Sequence, residues 1–265
     1  MQYYFFLVVP NIKSEITISN FPPANCDVDM VERFICTATP YGNKWALKTI
    51  QSIKPYESYC VNGELLNLDD DLLKQTLVFM SRNPLQGEQA LLHESEDYSC
   101  WPEWRANLRI NSQYSAASYQ GEYPAQMLSI KNGTLVTVAS MLQNSSDVHN
   151  KFLFVNFTED PLSRAVDLEF HRLRGMGLIK KVSVFTNQIS CVDLSDILLE
   201  GDGELILVTS KEAHGIPIYF SHSADYKNLS LEHAHPPTEM TVFGAASSRF
   251  LIAKKMKNFW LGRKA

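Results

Sequence analysis

Between residues 98 and 124 the sequence concentrates side chains suited to recognising polar ligands. Tyr98, Trp101, Trp104, Tyr114, Tyr119 and Tyr123 are six of the fifteen Trp and Tyr residues in a 265-residue chain. The middle of this segment alternates. Arg105, Asn107, Arg109 and Asn111 share one face of an extended strand, and Ala106, Leu108 and Ile110 share the other. The apolar set points to a core, so the Arg-Asn-Arg-Asn ladder points away from it. A guanidinium offers a fork of donors to carboxylate, phosphate or sugar hydroxyls, and Asn adds both a donor and an acceptor. Faces such as Trp104 and Tyr119 can pack on a sugar ring. Residues four apart on a strand are separated by about 13 Å, so the ladder suits an elongated or two-ended ligand. Gly121 followed by Glu-Tyr-Pro predicts a sharp turn that aims Tyr119, Gln120 or Glu122 into a cleft beside the ladder, with Glu122 as the candidate catalytic carboxylate. The competing reading is the wet face of an antiparallel sheet, its arginines paired with acids across the strands.

A second constellation lies at His233-Ala-His235-Pro-Pro-Thr-Glu239. His-x-His on a strand places both imidazoles on one face about 6.6 Å apart. A carboxylate beyond the following turn completes a facial set for a divalent metal such as Fe, Mn, Ni or Zn. This spacing resembles the first metal motif of the cupins, small β barrels that bind metals and sugars. The resemblance is confined to residues 233–244 and implies His233, His235 and Glu239 as metal ligands. It departs from the motif in two ways: no glycine stands six positions before His233, and the interval to Gly244 is two residues short. The short stretch after it leaves no room for a second cupin motif.

Other chemistries lack their motifs. There is no Gly-x-Ser-x-Gly elbow and no phosphate-binding Gly-x4-Gly-Lys-Ser/Thr loop, and Gly175-Met-Gly177 lacks the third glycine of a dinucleotide fingerprint. Cys26, Cys36, Cys60, Cys100 and Cys191 form neither an even disulfide set nor a CxxC pair, which points to reduced thiols and a cytoplasmic protein. The apolar amino terminus has no basic leader region and reads as a first strand. No stretch approaches the length of a membrane span, so no stable membrane insertion is expected. A net charge of −5 does not suggest nucleic acid as a partner. Residues 240–265 nevertheless carry six basic side chains and no acidic one.

The elements that must position these groups are mostly strands. Turn-bounded runs rich in Val, Ile, Phe, Tyr and Thr recur at Tyr3–Val9, Glu15–Ser19, Val31–Thr37, Trp104–Ile110, Thr134–Val138, Phe152–Phe157, Lys181–Thr186, Glu204–Thr209, Ile216–Ser221 and Leu229–His233. They predict a mainly β fold, an antiparallel sandwich or barrel-like set of sheets. One internal helix is expected over Asn67–Met80, capped by Asn67 with acids in its first turn, and a basic terminal helix over Ala245–Leu261. Asp160–Gly175 suits a strand or a short helix opened by Pro161. The chain reads as one domain, with a weak boundary near 143–148.

Three functions fit this sequence. The first is recognition or processing of a polyhydroxylated or anionic small molecule, sugar or sugar phosphate, through Trp104, Arg105, Asn107, Arg109, Tyr119 and Gln120. The second is a metal-dependent enzyme built on His233, His235 and Glu239. The third is a non-catalytic adaptor, or a homo-oligomer, that uses the basic helix or free strand edges.

Overall fold

The computed structural model describes residues 2–21, 31–92, 106–129, 135–138, 145–172, 177–197 and 206–233. In chain order the strands are β1 (Gln2–Phe5), β2 (Lys13–Ser19), β3 (Arg33–Tyr41), β4 (Lys44–Ile53) and β5 (Ser58–Asn62). The one-turn helices α1 (Gly63–Leu66) and α2 (Asp70–Leu73) follow, then β6 (Leu77–Ser81), β7 (Gln86–Gln89), β8 (Ala106–Asn111), β9 (Ala116–Gly121) and β10 (Tyr123–Pro124). A third single turn, α3 (Ala125–Leu128), precedes β11 (Leu135–Val138), β12 (Val148–Asn156), β13 (Ala165–Arg172) and β14 (Leu178–Phe185). The last are β15 (Gln188–Asp193), β16 (Ile206–Ser210), β17 (Ile216–Ser223) and β18 (Leu229–His233).

The strands form four antiparallel sheets. The first has the order β10-β1-β6-β3-β4-β7, the second β5-β2-β8-β9, the third β15-β12-β17-β18 and the fourth β11-β16-β13-β14. The fold is mainly β and sandwich-like, as the turn-bounded runs predict. All ten predicted runs overlap strands.

The third sheet sits between two cores, because alternation sends its apolar residues both ways. Leu153 and Val155 of β12, with Ile216, Ile218 and Phe220 of β17, join the cluster that holds Tyr3, Phe79, Ile16 and Leu108 from the first two sheets. Phe152 and Phe154, with Tyr219, point the other way and pack with Leu168 and Phe170 of the fourth sheet. The larger cluster therefore draws on both sides of residues 143–148.

One element differs from the sequence expectation, and one open choice is decided. The helix expected over 67–80 shrinks to α2, which Asp69 caps by accepting from Leu72 N at 2.9 Å. Thr76 Oγ1 then bonds back to Leu72 O at 2.8 Å, and Leu77–Ser81 runs on as a fully buried strand between β1 and β3. Consecutive Leu-Val-Phe-Met matches a helix stripe by spacing, but burial on both faces favours the strand. Within Asp160–Gly175, Ala165–Arg172 forms the strand β13, and among the described residues no helix opens at Pro161. The basic helix expected over Ala245–Leu261 lies outside the described residues.

Hydrogen bonds to residues 156–159 tie the sheets together. Asn156 Nδ2 donates to His214 O at 2.9 Å, and Trp45 Nε1 donates to Glu159 O at 2.8 Å. The Tyr123 hydroxyl donates to Phe157 O at 2.8 Å and accepts from Phe157 N at 3.1 Å, with both residues wholly buried. Burial pushes the Tyr123 phenol well above its ordinary range, so the hydroxyl stays protonated for both bonds. Tyr123→Phe leaves a buried N–H and a buried C=O without this partner. A loss of about 2 kcal/mol is expected in urea unfolding, with the m-value unchanged.

Candidate functional site

β8 carries the ladder as its alternation requires. Ala106, Leu108 and Ile110 are buried, while Asn107 and Arg109 are exposed. β2 and β9 flank it, and their registers decide what the ladder meets. One cross-strand row is Cys60, Thr17, Asn107 and Gln120; the next is Asn62, Glu15, Arg109 and Ser118. Arg109 Nη1 lies 3.2 Å from Glu15 Oε1, which is the cross-strand pairing of a wet sheet face. Arg109 is half exposed, so this pair positions side chains more than it stabilises the fold. Cys60 stands in the same face, its thiol raised chiefly by desolvation and then by Glu15. Trp104 and Arg105 lie outside the described residues.

The turn after β9 does not aim every expected residue at the ladder. Gln120 does share its exposed face. Tyr119 instead stands opposite Leu108, on the core side of β9. Its ring lies over Gly121, where even one added carbon would collide with Cε2. The missing side chain at Gly121 is thus what admits the ring beneath the sheet. Glu122 is also buried, and its charge adds to the desolvation that raises the Tyr119 phenol well above its usual range. Neither Glu122 nor Tyr119 joins the exposed ladder.

The polar face ends in a cleft of about 680 Å³, a volume typical of small-molecule sites. Glu15 and Asn111 belong to both the face and the cleft. The cleft's other walls come from the turn before β2 and from the α1–α2 segment. Asn11 takes the left-handed backbone (φ 64°) that a short amide side chain tolerates, which lets the chain turn tightly into β2. Asn62 caps α1 by accepting from Leu65 N at 2.8 Å, which leaves its NH2 group as a donor. Lys13 Nζ and Glu64 Oε1 meet at 2.6 Å, and the shared hydrogen bond holds Lys13 above and Glu64 below their ordinary pKa ranges. Val8, Ile12, Leu68 and Leu73 supply apolar lining.

No family model, curated protein or solved structure matches this chain.

The metal motif is only partly described. His233 ends β18 with its backbone opposite Ile218, while His235 and Glu239 lie outside the described residues. Among the described residues, no three His, Cys, Asp or Glu side chains converge as a metal set. Cys36 is buried, Cys60 and Cys191 are exposed, and all three are free thiols. No helix among the described residues is long and apolar enough to cross a membrane.

The sequence reading missed the cleft. Its walls are some fifty residues from one another in sequence and a further forty from the ladder, and only register brings them together. Two of its parts did leave signals: the Asn62-Gly turn and the acidic run at Asp69–Asp71.

Proposed function

We propose that the polar face of the second sheet and the cleft at its end bind a neutral, polyhydroxylated ligand of sugar type. The observation that carries this reading is the composition of the cleft. Carboxamides of Asn11, Asn62 and Asn111 stand among carboxylates of Glu15, Glu64 and Asp70, over an apolar lining. Sugar hydroxyls both donate and accept, and such a set answers both needs.

The anionic half of the expectation loses support. Lys13 is engaged by Glu64 and Arg109 by Glu15, and the cleft's single ammonium is outnumbered by three carboxylates. A phosphate entering here would be repelled. The length of the face favours an extended ligand, because Lys13 to Ser19 spans about 20 Å. The metal-dependent and adaptor readings rest mainly on residues 234–265, which lie outside those described.

Calorimetry with neutral glucose, galactose and mannose oligosaccharides and with the corresponding sugar phosphates tests the proposal. Neutral ligands are expected to bind and phosphorylated ones to bind more weakly. Asn111→Ala should weaken the neutral ligand about five- to tenfold, the worth of about one hydrogen bond. Preference for the phosphates, or an Asn111→Ala variant with unchanged affinity, overturns it.

A further inference from the structure

Four rings gather at one end of the third sheet. His149 of β12 and His222 of β17 are cross-strand partners with ring centroids 5.3 Å apart. Phe220 stacks with His222 at 5.1 Å, and Tyr226 from the β17–β18 turn lies face to face with it at 4.3 Å. His222 is only 6% exposed. Its Nδ1 is 2.8 Å from Ser223 O, and a carbonyl only accepts, so Nδ1 carries the proton. Nε2 is buried and has no hydrogen-bond partner among the described residues.

A neutral ring suits this place and a charged one does not. Protonation puts an N–H at Nε2, where no acceptor waits among the described residues. From β12, Lys151 and His149 oppose a second positive charge; from β15, Asp193 favours it but is already bonded to Lys151 at 2.9 Å. The turn's own charges, Asp225 and Lys227, pair with each other at 2.8 Å, and β18 offers only Leu229 opposite His222. The faces of Phe220 and Tyr226 attract a cation. Against that, burial is the largest influence on His222 and lowers its pKa; the Ser223 carbonyl raises it in part, and Lys151 and His149 lower it further.

Tyr226 also holds a second element. Its carbonyl accepts from Ser112 Oγ at 2.8 Å and from Ser115 Oγ at 3.4 Å, both at the tip of the β8–β9 hairpin. Lys227 Nζ stands 5.6 Å over the Tyr114 ring of the same tip. The ring that covers His222 and the carbonyl that anchors the ladder hairpin thus belong to one residue.

We propose that His222 is a proton-operated latch, whose protonation displaces Tyr226 and releases the tip of the β8–β9 hairpin. An unburied histidine titrates near 6.5, and His222 in the closed form titrates lower. The open form therefore takes up the proton first as pH falls. The latch is fully closed above about 6.5 and loses stability progressively as pH falls from there through the closed-form pKa. This opening concerns the hairpin alone and does not depend on what the polar face binds.

Hydrogen exchange on the ligand-free protein at about pH 7.5 and about pH 5, corrected for intrinsic rates, reads the latch directly. Protection of residues 112–116 and 222–229 should fall together, by up to roughly tenfold for each pH unit between about 6.5 and the closed-form pKa, and level off below it. His222→Phe keeps a ring in the stack without the proton site, and its protection should be independent of pH. In the unmodified protein, the His222 ring resonance should titrate below about 6.5, and protection should stop falling once the ring is protonated. The proposal is overturned by unchanged or rising protection in acid, by loss that persists in His222→Phe, or by a ring that titrates at the ordinary value.

Discussion

Asn187→Ala should destabilise the fold by about 3–5 kcal/mol, mostly through buried hydrogen bonds left without partners. Asn187 joins β14 to β15, the corner where the chain passes from the fourth sheet to the third, and it takes a left-handed backbone (φ 58°). It is 2% exposed. Its Nδ2 donates its two hydrogens to Asp160 O at 2.8 Å and Leu162 O at 2.9 Å, with Thr158 Oγ1 beside it at 3.0 Å, while its Oδ1 accepts from Thr158 N at 2.8 Å. One side chain thereby holds Thr158, Asp160 and Leu162 together. Alanine removes every one of these bonds and resists the left-handed backbone by about 1 kcal/mol. Asn187→Gly separates the two costs, because glycine adopts this backbone freely and should recover only that last part. Chemical unfolding of the three proteins checks the order Asn, Gly, Ala from most to least stable.

Phe152→Ala and Leu153→Ala should each cost more than about 2 kcal/mol, although neighbours on a strand point in opposite directions. In a sheet with one wet face, one of any two neighbours is cheap to truncate. Here Phe152 meets the rings of Tyr219 at 5.3 Å, Phe170 at 5.7 Å and Phe154 at 6.2 Å, in the core shared with the fourth sheet. Leu153 enters the core shared with the first two sheets. Both side chains are fully buried, so each truncation leaves a cavity that rigid strands on either side close only in part. Losses of about 3–5 kcal/mol for Phe152→Ala and about 2–4 kcal/mol for Leu153→Ala are expected from urea midpoints. A loss below about 1 kcal/mol at either position contradicts burial of the third sheet on both faces.

Strand content was legible because it is written in local chemistry. In β8 the period of two separates Asn107 and Arg109 from Leu108 with no knowledge of neighbours, and the structure has that alternation. Strands buried on both faces leave no such period. Leu77–Ser81 reads as part of a helix because consecutive apolar residues satisfy either spacing, and only its place between β1 and β3 decides the matter. The ladder's outward face was likewise readable, while its pairing was not. Glu15 reaches Arg109 through the β2–β8 register, a relation between residues 94 positions apart that no local pattern encodes. Tyr119 shows the opposite failure. Aromatic density suggested a ligand platform, yet the same property makes a good core residue, and Gly121 clears the space that draws the ring inward.

Backbone amide shifts recorded while neutral oligosaccharides are titrated into the protein test the proposed site most directly. The predicted result is a contiguous set of perturbed amides at Lys13, Glu15, Asn62, Arg109 and Asn111, with weaker or absent changes when the sugar phosphates are added. Perturbations confined to other surfaces, or larger for the phosphates at these same residues, would contradict the reading of this face as a site for neutral polyhydroxylated ligands.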